Sequence, residues 1–182
     1  FNQLILGKLT ATKRFEIIKF NFRERILTLY ALEILQHNNG RPYNKNGFLA
    51  FLKDYFKDKS SDIAPEVLDE FLVFFIDSSG ILRMEEEQYV NFSHRSFLEY
   101  YASLEIFKHK RELESELVEN FLDLGWQNVA LFYGGQSKDM PKFLQDILNR
   151  IRKGTTVEEH NNAILGLGYL LQALYQTDNK LR

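Results

Sequence analysis

Residues 80–102 read GILRMEEEQYVNFSHRSFLEYYA, and the reading of this stretch decides the fold. Two short apolar or β-branched runs, ILRM and YVNF, flank the acidic EEEQ, so a small hairpin is expected here. Ser93 then offers a helix N-cap, and Phe97, Tyr101 and Leu104, with Ala102 and Ile106, recur at helical spacing. A lone histidine, His94, stands where the strand gives way to the helix.

Working outward, the segment before Gly80 is APEVLDEFLVFFIDSSG. Pro65 suits a first helical turn, and Glu66, Asp69 and Glu70 lie near its positive end. Leu68, Phe71, Leu72 and Phe75 form the apolar stripe. Upstream, Phe48, Phe51, Leu52, Tyr55 and Phe56 mark a second helix closed by KDKSSD. Ile26, Leu27, Tyr30, Ala31, Ile34 and Leu35 mark a first helix from Phe22, which HNNGRPYN ends near His37. Three helices, a two-stranded ribbon and a closing helix, in that order, predict a winged helix over 22–110. Residues 1–21 read as a linker or helix from an upstream domain, and FNQLILGKL already looks helical.

Beyond Lys110 the periodicity is purely helical. Leu113, Leu117, Phe121 and Leu124 come first, then Trp126 to Tyr133, then Phe143, Leu144, Ile147, Leu148 and Ile151, and then Ala163, Leu167, Leu170, Leu171 and Leu174. The breaks are DLGW, YGGQSKDMP and RKGTT. A helical-repeat-like domain over 111–182 is expected, with no fixed period.

Composition agrees with a mainly α chain. Of 182 residues, 16 are Phe and 9 are Tyr, against 10 Gly and 3 Pro, so helices packed through aromatic rings are favoured over turn-rich β structure. The formal net charge of -2 excludes the strong basic field of a general nucleic-acid binder. With no Cys there is no disulfide, thiolate metal site or Cys nucleophile. No apolar run reaches membrane-span length and no signal-peptide pattern occurs, so a soluble, cytoplasmic protein is expected.

A winged helix commonly reads DNA with its third helix and its wing. Here the third helix carries Glu66, Asp69, Glu70 and Asp77 without one Lys or Arg, and the wing carries Glu85, Glu86 and Glu87. Carboxylates meeting phosphates repel and release no counterions, so DNA binding by this surface is not expected. The basic stretch Lys8 to Arg25 leaves open a transcription regulator that uses another face. A plain helical protein-interaction scaffold stays open as well.

The run FIDSSGILRMEEEQYVNFSHRSFLEYYASLEIF resembles the winged-helix segment of NACHT-type STAND NTPases, a family that includes NLR-like and prokaryotic signal transducers. Phe92, His94, Phe97, Glu99, Tyr100, Tyr101 and Ala102 match its signature position by position. Leu98 stands where animal members often have Gln, which favours a prokaryotic member. DLGWQNVALFYGG is similar to the Trp-containing helix that follows in the family.

The resemblance implies a regulatory module that couples the ADP/ATP state of an upstream NTPase domain to a downstream helical sensor, in antiviral defence or signalling. It implies that His94 hydrogen-bonds the β-phosphate of ADP in the closed state, with Phe92, Phe97, Glu99 and Tyr101 as supporting motif residues. It also implies protein partners or self-oligomerisation on activation. No GxxxxGK[ST] occurs, so ADP, ATP and Mg belong to the intact parent, whose nucleotide core is expected upstream of Phe1. This chain by itself is expected to be no enzyme, with no catalytic residue and no cofactor.

The remaining candidates read as structural. His37, His94, His109 and His160 are scattered without paired ligand spacing, so no metal site is expected. Glu158, Glu159 and His160 read as a solvated helix start, and the wing carboxylates lack calcium-ligand spacing. Trp126 and Tyr133 read as anchors between helices, and Glu99 as a helix-surface or hinge ion-pair residue.

Overall fold

A computed structural model describes residues 11–37, 41–57, 65–154 and 156–180. The described residues are mainly helical, with one small antiparallel sheet. The elements are α1 (Ala11–His37), β1 (Tyr43–Asn44), α2 (Lys45–Lys57), α3 (Pro65–Val73), β2 (Leu82–Glu85), β3 (Tyr89–Phe92), α4 (Arg95–His109), α5 (Glu114–Glu119), α6 (Leu124–Ser137), α7 (Pro141–Arg152) and α8 (Val157–Ala173). Expectations for residues 1–10, including Lys8, lie outside the described residues. By internal packing the chain falls into two compact units. One comprises Phe1–Leu27 with Arg41–His94, and the other Thr28–Gly40 with Arg95–Arg182. These bounds differ from the sequence partition at 21/22 and 110/111: α4 groups with the helices that follow it.

In the first unit the expected stripes are buried. Ile26, Leu27, Phe48, Leu52, Tyr55, Phe56, Leu68, Phe71, Leu72 and Phe75 form its helical core, joined by Leu82, Val90 and Phe92 from the sheet. Aromatic rings run through this core in edge, tilted and stacked contacts: Phe22–Phe56 at 5.6 Å, Phe56–Phe71 at 5.3 Å, Phe71–Phe75 at 6.2 Å and Phe75–Phe48 at 6.4 Å. After α3 the helix loosens into a π turn over Phe74–Ser78, in which the Ser79 N–H donates to the Phe74 carbonyl at 3.1 Å. The turn ends at Gly80, whose φ of 61° suits a residue without a Cβ.

The expected hairpin is present, with Leu82 opposite Phe92 and Glu85 opposite Tyr89. The sheet nonetheless has three strands, in the order β1-β3-β2. Tyr43 and Asn44 pair with Val90 and Tyr89, and the Lys45 N–H donates to the Gln88 carbonyl at 2.8 Å. Two residues carry no alternation to read, which is why the sequence showed only two strands. Asn44 also caps α2: its Oδ1 accepts from the Gly47 N–H at 2.8 Å. At the hairpin tip the Gln88 N–H donates to the Glu85 carbonyl at 3.1 Å, and Glu86 and Glu87 have φ of 51° and 59°. Two positive φ values are the mark of a type I′ turn, normally built from Asn and Gly.

In the second unit the helices stack in succession: α4 packs on α6 and α6 on α8, while α5 packs on α7. Tyr133 is the aromatic pivot, 5.7 Å from Phe107 and 5.2 Å from Phe143. The α6–α8 seam is made close by glycine. A Cβ on Gly166 would overlap the Gln127 amide, and one on Gly134 would come within 3.0 Å of Leu170. Gln127 is buried, and its Nε2 donates to the carbonyls of Asn162 at 2.9 Å and Phe121 at 3.3 Å. The chain after α8 is clipped back: the Met140 N–H donates to Thr177 Oγ1, and that hydroxyl donates to Asp139, both at 3.1 Å.

Candidate functional site

The candidate site centres on His94, which follows β3 and directly precedes α4 in the chain. Phe92 is buried opposite Leu82 and fixes the strand end in the first unit's core. The Ser93 N–H donates to the Ile81 carbonyl at 2.8 Å, and its hydroxyl donates to the Gly80 carbonyl at 2.7 Å. Ser93 therefore ties the strand end to the Gly80 turn. Ser79 braces the same turn, its hydroxyl donating to the Phe75 carbonyl and accepting from the Ile81 N–H. These bonds set the backbone from which the next side chain, His94, projects. His94 is exposed.

Arg95 opens α4. Its Nε lies 3.0 Å from Glu99 Oε1, one helical turn on, and its Nη2 donates to the Gly125 carbonyl at 3.3 Å. Glu99, expected as a helix-surface or hinge ion-pair residue, is 3% exposed and so lies below the surface, and Arg95 is its ion-pair partner. A buried carboxylate needs a cation and a directed donor, and one guanidinium supplies both. At the start of α6, Asp123 caps the helix by accepting from the Gly125 N–H at 2.6 Å. A Cβ on Gly125 would crowd the capping Asp123 carboxylate at 3.1 Å, while Arg95 Nη2 at 3.4 Å would be in ordinary contact.

The other signature residues divide. Leu98 and Ala102 are buried and Tyr101 is half-buried. Phe97, expected in the apolar stripe, is 37% exposed and sits at the edge of it. Tyr100 stacks edge-on against Tyr101 at 5.4 Å and Phe132 at 5.8 Å. Comparison with protein-family models, with curated proteins and with solved structures finds no match to this chain.

Two polar clusters escaped the sequence reading. Glu105 is fully buried on α4, where Thr28 Oγ1 donates to its Oε2 at 2.8 Å. Its signal was a carboxylate one residue from the stripe position Ile106. The second cluster surrounds Tyr133, whose hydroxyl donates to Glu114 Oε2 at 2.5 Å and accepts from Arg111 Nη1 at 3.4 Å. The Arg111 guanidinium also lies over the Phe107 ring, 4.1 Å from its centroid. Burial, and then the bond to the Glu114 carboxylate, push the Tyr133 phenol well above its ordinary range. Tyr133 is thus a buried anchor as expected, and Trp126 is half-buried.

Glu158 and His160 are exposed and Glu159 is half-buried, so this helix start is largely solvated, as its sequence suggests. Thr156 and Glu159 form a reciprocal capping box, and His160 Nδ1 lies 2.7 Å from the Thr156 carbonyl. His109 ends α4 and is exposed, and nothing of the His37 side chain is described. Among the described residues no group of three or more His, Asp or Glu could hold a metal ion, and no helix is long and apolar enough to cross a membrane.

Proposed function

We propose that this chain is a winged-helix module followed by the first helices of a sensor array in a NACHT-type STAND NTPase, where it relays the nucleotide state of an upstream domain. The observation that carries the reading is His94: an exposed imidazole, set by the Ser93–Gly80 bond, immediately before the 15-residue helix α4. Unpaired backbone N–H groups and the dipole at a helix start attract an anion, and an imidazole N–H adds one directional bond. A nucleoside diphosphate held by another domain would be met here at one phosphate oxygen.

The order α1-β1-α2-α3-β2-β3, with strands arranged β1-β3-β2, supports the winged-helix part. The succession α4-α6-α8 supports the array part. One imidazole is a sensor contact and no cradle, so nucleotide, Mg and hydrolysis belong to the parent, and this module is a cytoplasmic regulator rather than an enzyme. Release of the contact on exchange of ADP for ATP is a ligand-biased switch. The acidic hairpin argues against DNA binding through the third helix and wing.

In the full-length parent, His94→Ala removes one bond to a charged phosphate and weakens ADP retention by about 10- to 100-fold. Mass spectrometry of the purified parent reads the ADP occupancy, and occupancy equal to wild type sinks the sensor role. A parent gene with no Walker A motif within about 300 residues upstream overturns the family reading itself.

A further inference from the structure

On α6 the seam that receives α8 is built from an amide, a leucine four residues on and a glycine three further: Gln127, Leu131 and Gly134. The Gln127 amide donates to the Asn162 carbonyl at 2.9 Å, and Gly166 of α8 sits against it. Gly134 is a notch for leucines, since a Cβ there would come within 3.0 Å of Leu170 and 3.4 Å of Leu174. Leu131, between them on the helix, is half-buried.

The outer side of α8 carries the same set. Asn161, Leu165 and Gly168 repeat the amide, the leucine and the glycine, each 34 positions after its counterpart: 127 to 161, 131 to 165 and 134 to 168. The helix N-caps, Asp123 and Thr156, are 33 positions apart, so helix start and seam advance by nearly the same step. On α8 all three seam residues are exposed, flanked by Ile164 and Tyr169 at 70% and 61% exposure. No charged residue occurs from Asn161 through Thr177 to oppose burial.

Gly168 says what kind of surface this is. A glycine in a helix interior lowers helix stability relative to alanine, so its presence calls for a reason. At Gly134 and Gly166 the reason is the neighbouring helix. At Gly168 a Cβ would meet no described atom within 4 Å, so the described residues supply none. Its counterpart Gly134 points to one, a large apolar side chain from the next helix of a stack.

The path of the chain fits a further step. After α8 the Gln176 N–H donates to the Lys138 carbonyl at 3.1 Å, and Thr177 is tied to Met140, so the chain returns beside the start of α7. A helix begun there can pack on α7 as α7 packs on α5, and its successor then lies over α8. Stacked helix pairs bury in this way the faces that no pair can bury alone.

We propose that the outer side of α8 is the seam for a following helix of the same chain, which docks on α8 as α8 docks on α6. It sets a small residue against the Asn161 amide and a large apolar one into the Gly168 notch. The proposal rests on the array part of the function proposed above and fixes the step and the face by which that array continues.

The test compares the 182-residue chain with its parent. Leu165→Cys is introduced into both, and maleimide labelling at residue 165 is followed by mass spectrometry. Labelling at least about tenfold slower in the parent is expected. Gly168→Leu meets open space in the 182-residue chain and leaves its thermal midpoint unchanged or raised, whereas in the parent it closes the notch and restores labelling at residue 165. Deleting the parent's next helix pair, about 34 residues, restores it as well. Equal labelling in chain and parent overturns the proposal, as does protection that survives the deletion, or a parent gene that encodes no further helix pair after Arg182. Protection in the 182-residue chain that grows with its concentration assigns the seam to a second copy and also overturns it. None of these outcomes depends on a Walker A motif upstream or on His94, so the seam and the nucleotide contact fail separately.

Discussion

The two compact units reach a packed interior by different means. The first stacks rings: Phe22, Phe56, Phe71, Phe75 and Phe48 follow one another at 5.3 to 6.4 Å. The second sets helices close on glycine and alanine and fills the seam with directed polar bonds from Gln127, Arg95 and Thr28. Rings stabilise by area and accept small displacements, while a glycine seam with a buried amide accepts none. The difference teaches that the first unit is vulnerable to lost volume and the second to added volume or a lost partner.

The largest expected effect lies among the rings. Phe71→Ala removes a fully buried ring between two others and lowers stability by about 3 to 5 kcal/mol, read as a fall in the urea midpoint. A loss under about 1 kcal/mol would mean that the ring stack contributes little.

The second unit responds to a single added methyl. Gly166→Ala displaces the Gln127 amide from two carbonyls and costs about 2 to 3 kcal/mol, although alanine is the better helix former. Stabilisation by that substitution would refute the close seam.

Tyr133→Phe comes next, at about 1 kcal/mol, because it leaves Glu114 and Arg111 without the phenol oxygen. Its pH signature is sharper. The folded phenol is held above its ordinary value of 10.0, so its contribution is complete below that pH. The contribution is lost as pH rises beyond it, since the unfolded chain releases the proton first. Chemical denaturation from neutral pH into the alkaline range should show this loss in the wild type and a shallower one in Tyr133→Phe.

The smallest effect is a gain. Replacing Glu86 and Glu87 by Asn and Gly suits two positive φ values and removes two like charges, raising stability by about 1 kcal/mol. A thermal midpoint that does not rise would contradict the left-handed turn.

Much of the architecture was legible in the sequence because it is periodic. The stripes Phe48, Leu52, Phe56 and Leu68, Phe71, Phe75 mark their helices, and the ILRM and YVNF runs mark the hairpin. What stayed hidden depends on neighbours distant in sequence. The strand at Tyr43 and Asn44 exists only because Val90 and Tyr89 lie beside it. The π turn after Val73 is a one-residue slip in hydrogen bonding that composition does not mark.

The candidate site was legible in the same measure. His94 stands out by its place between a strand pattern and a helix pattern. The burial of Glu99 does not, because it depends on Arg95 and on the packing of α4 against α6. Phe97 fits the helical spacing yet is 37% exposed, while its neighbour Leu98 takes the inward position, a choice that spacing alone does not make.

The cap of α8 has a consequence in time. The bonds joining Thr156 to Glu159 and His160 span three or four residues, so this first turn closes without waiting for any long-range contact. Local helical structure forms on about the microsecond scale, ahead of packing that must bring distant segments together. During synthesis or refolding, the uncharged part of this helix from Asn161 to Ala173 can form before its inner side is covered. Its inner side is covered only when α6 docks on it, a contact that brings segments about 35 residues apart together.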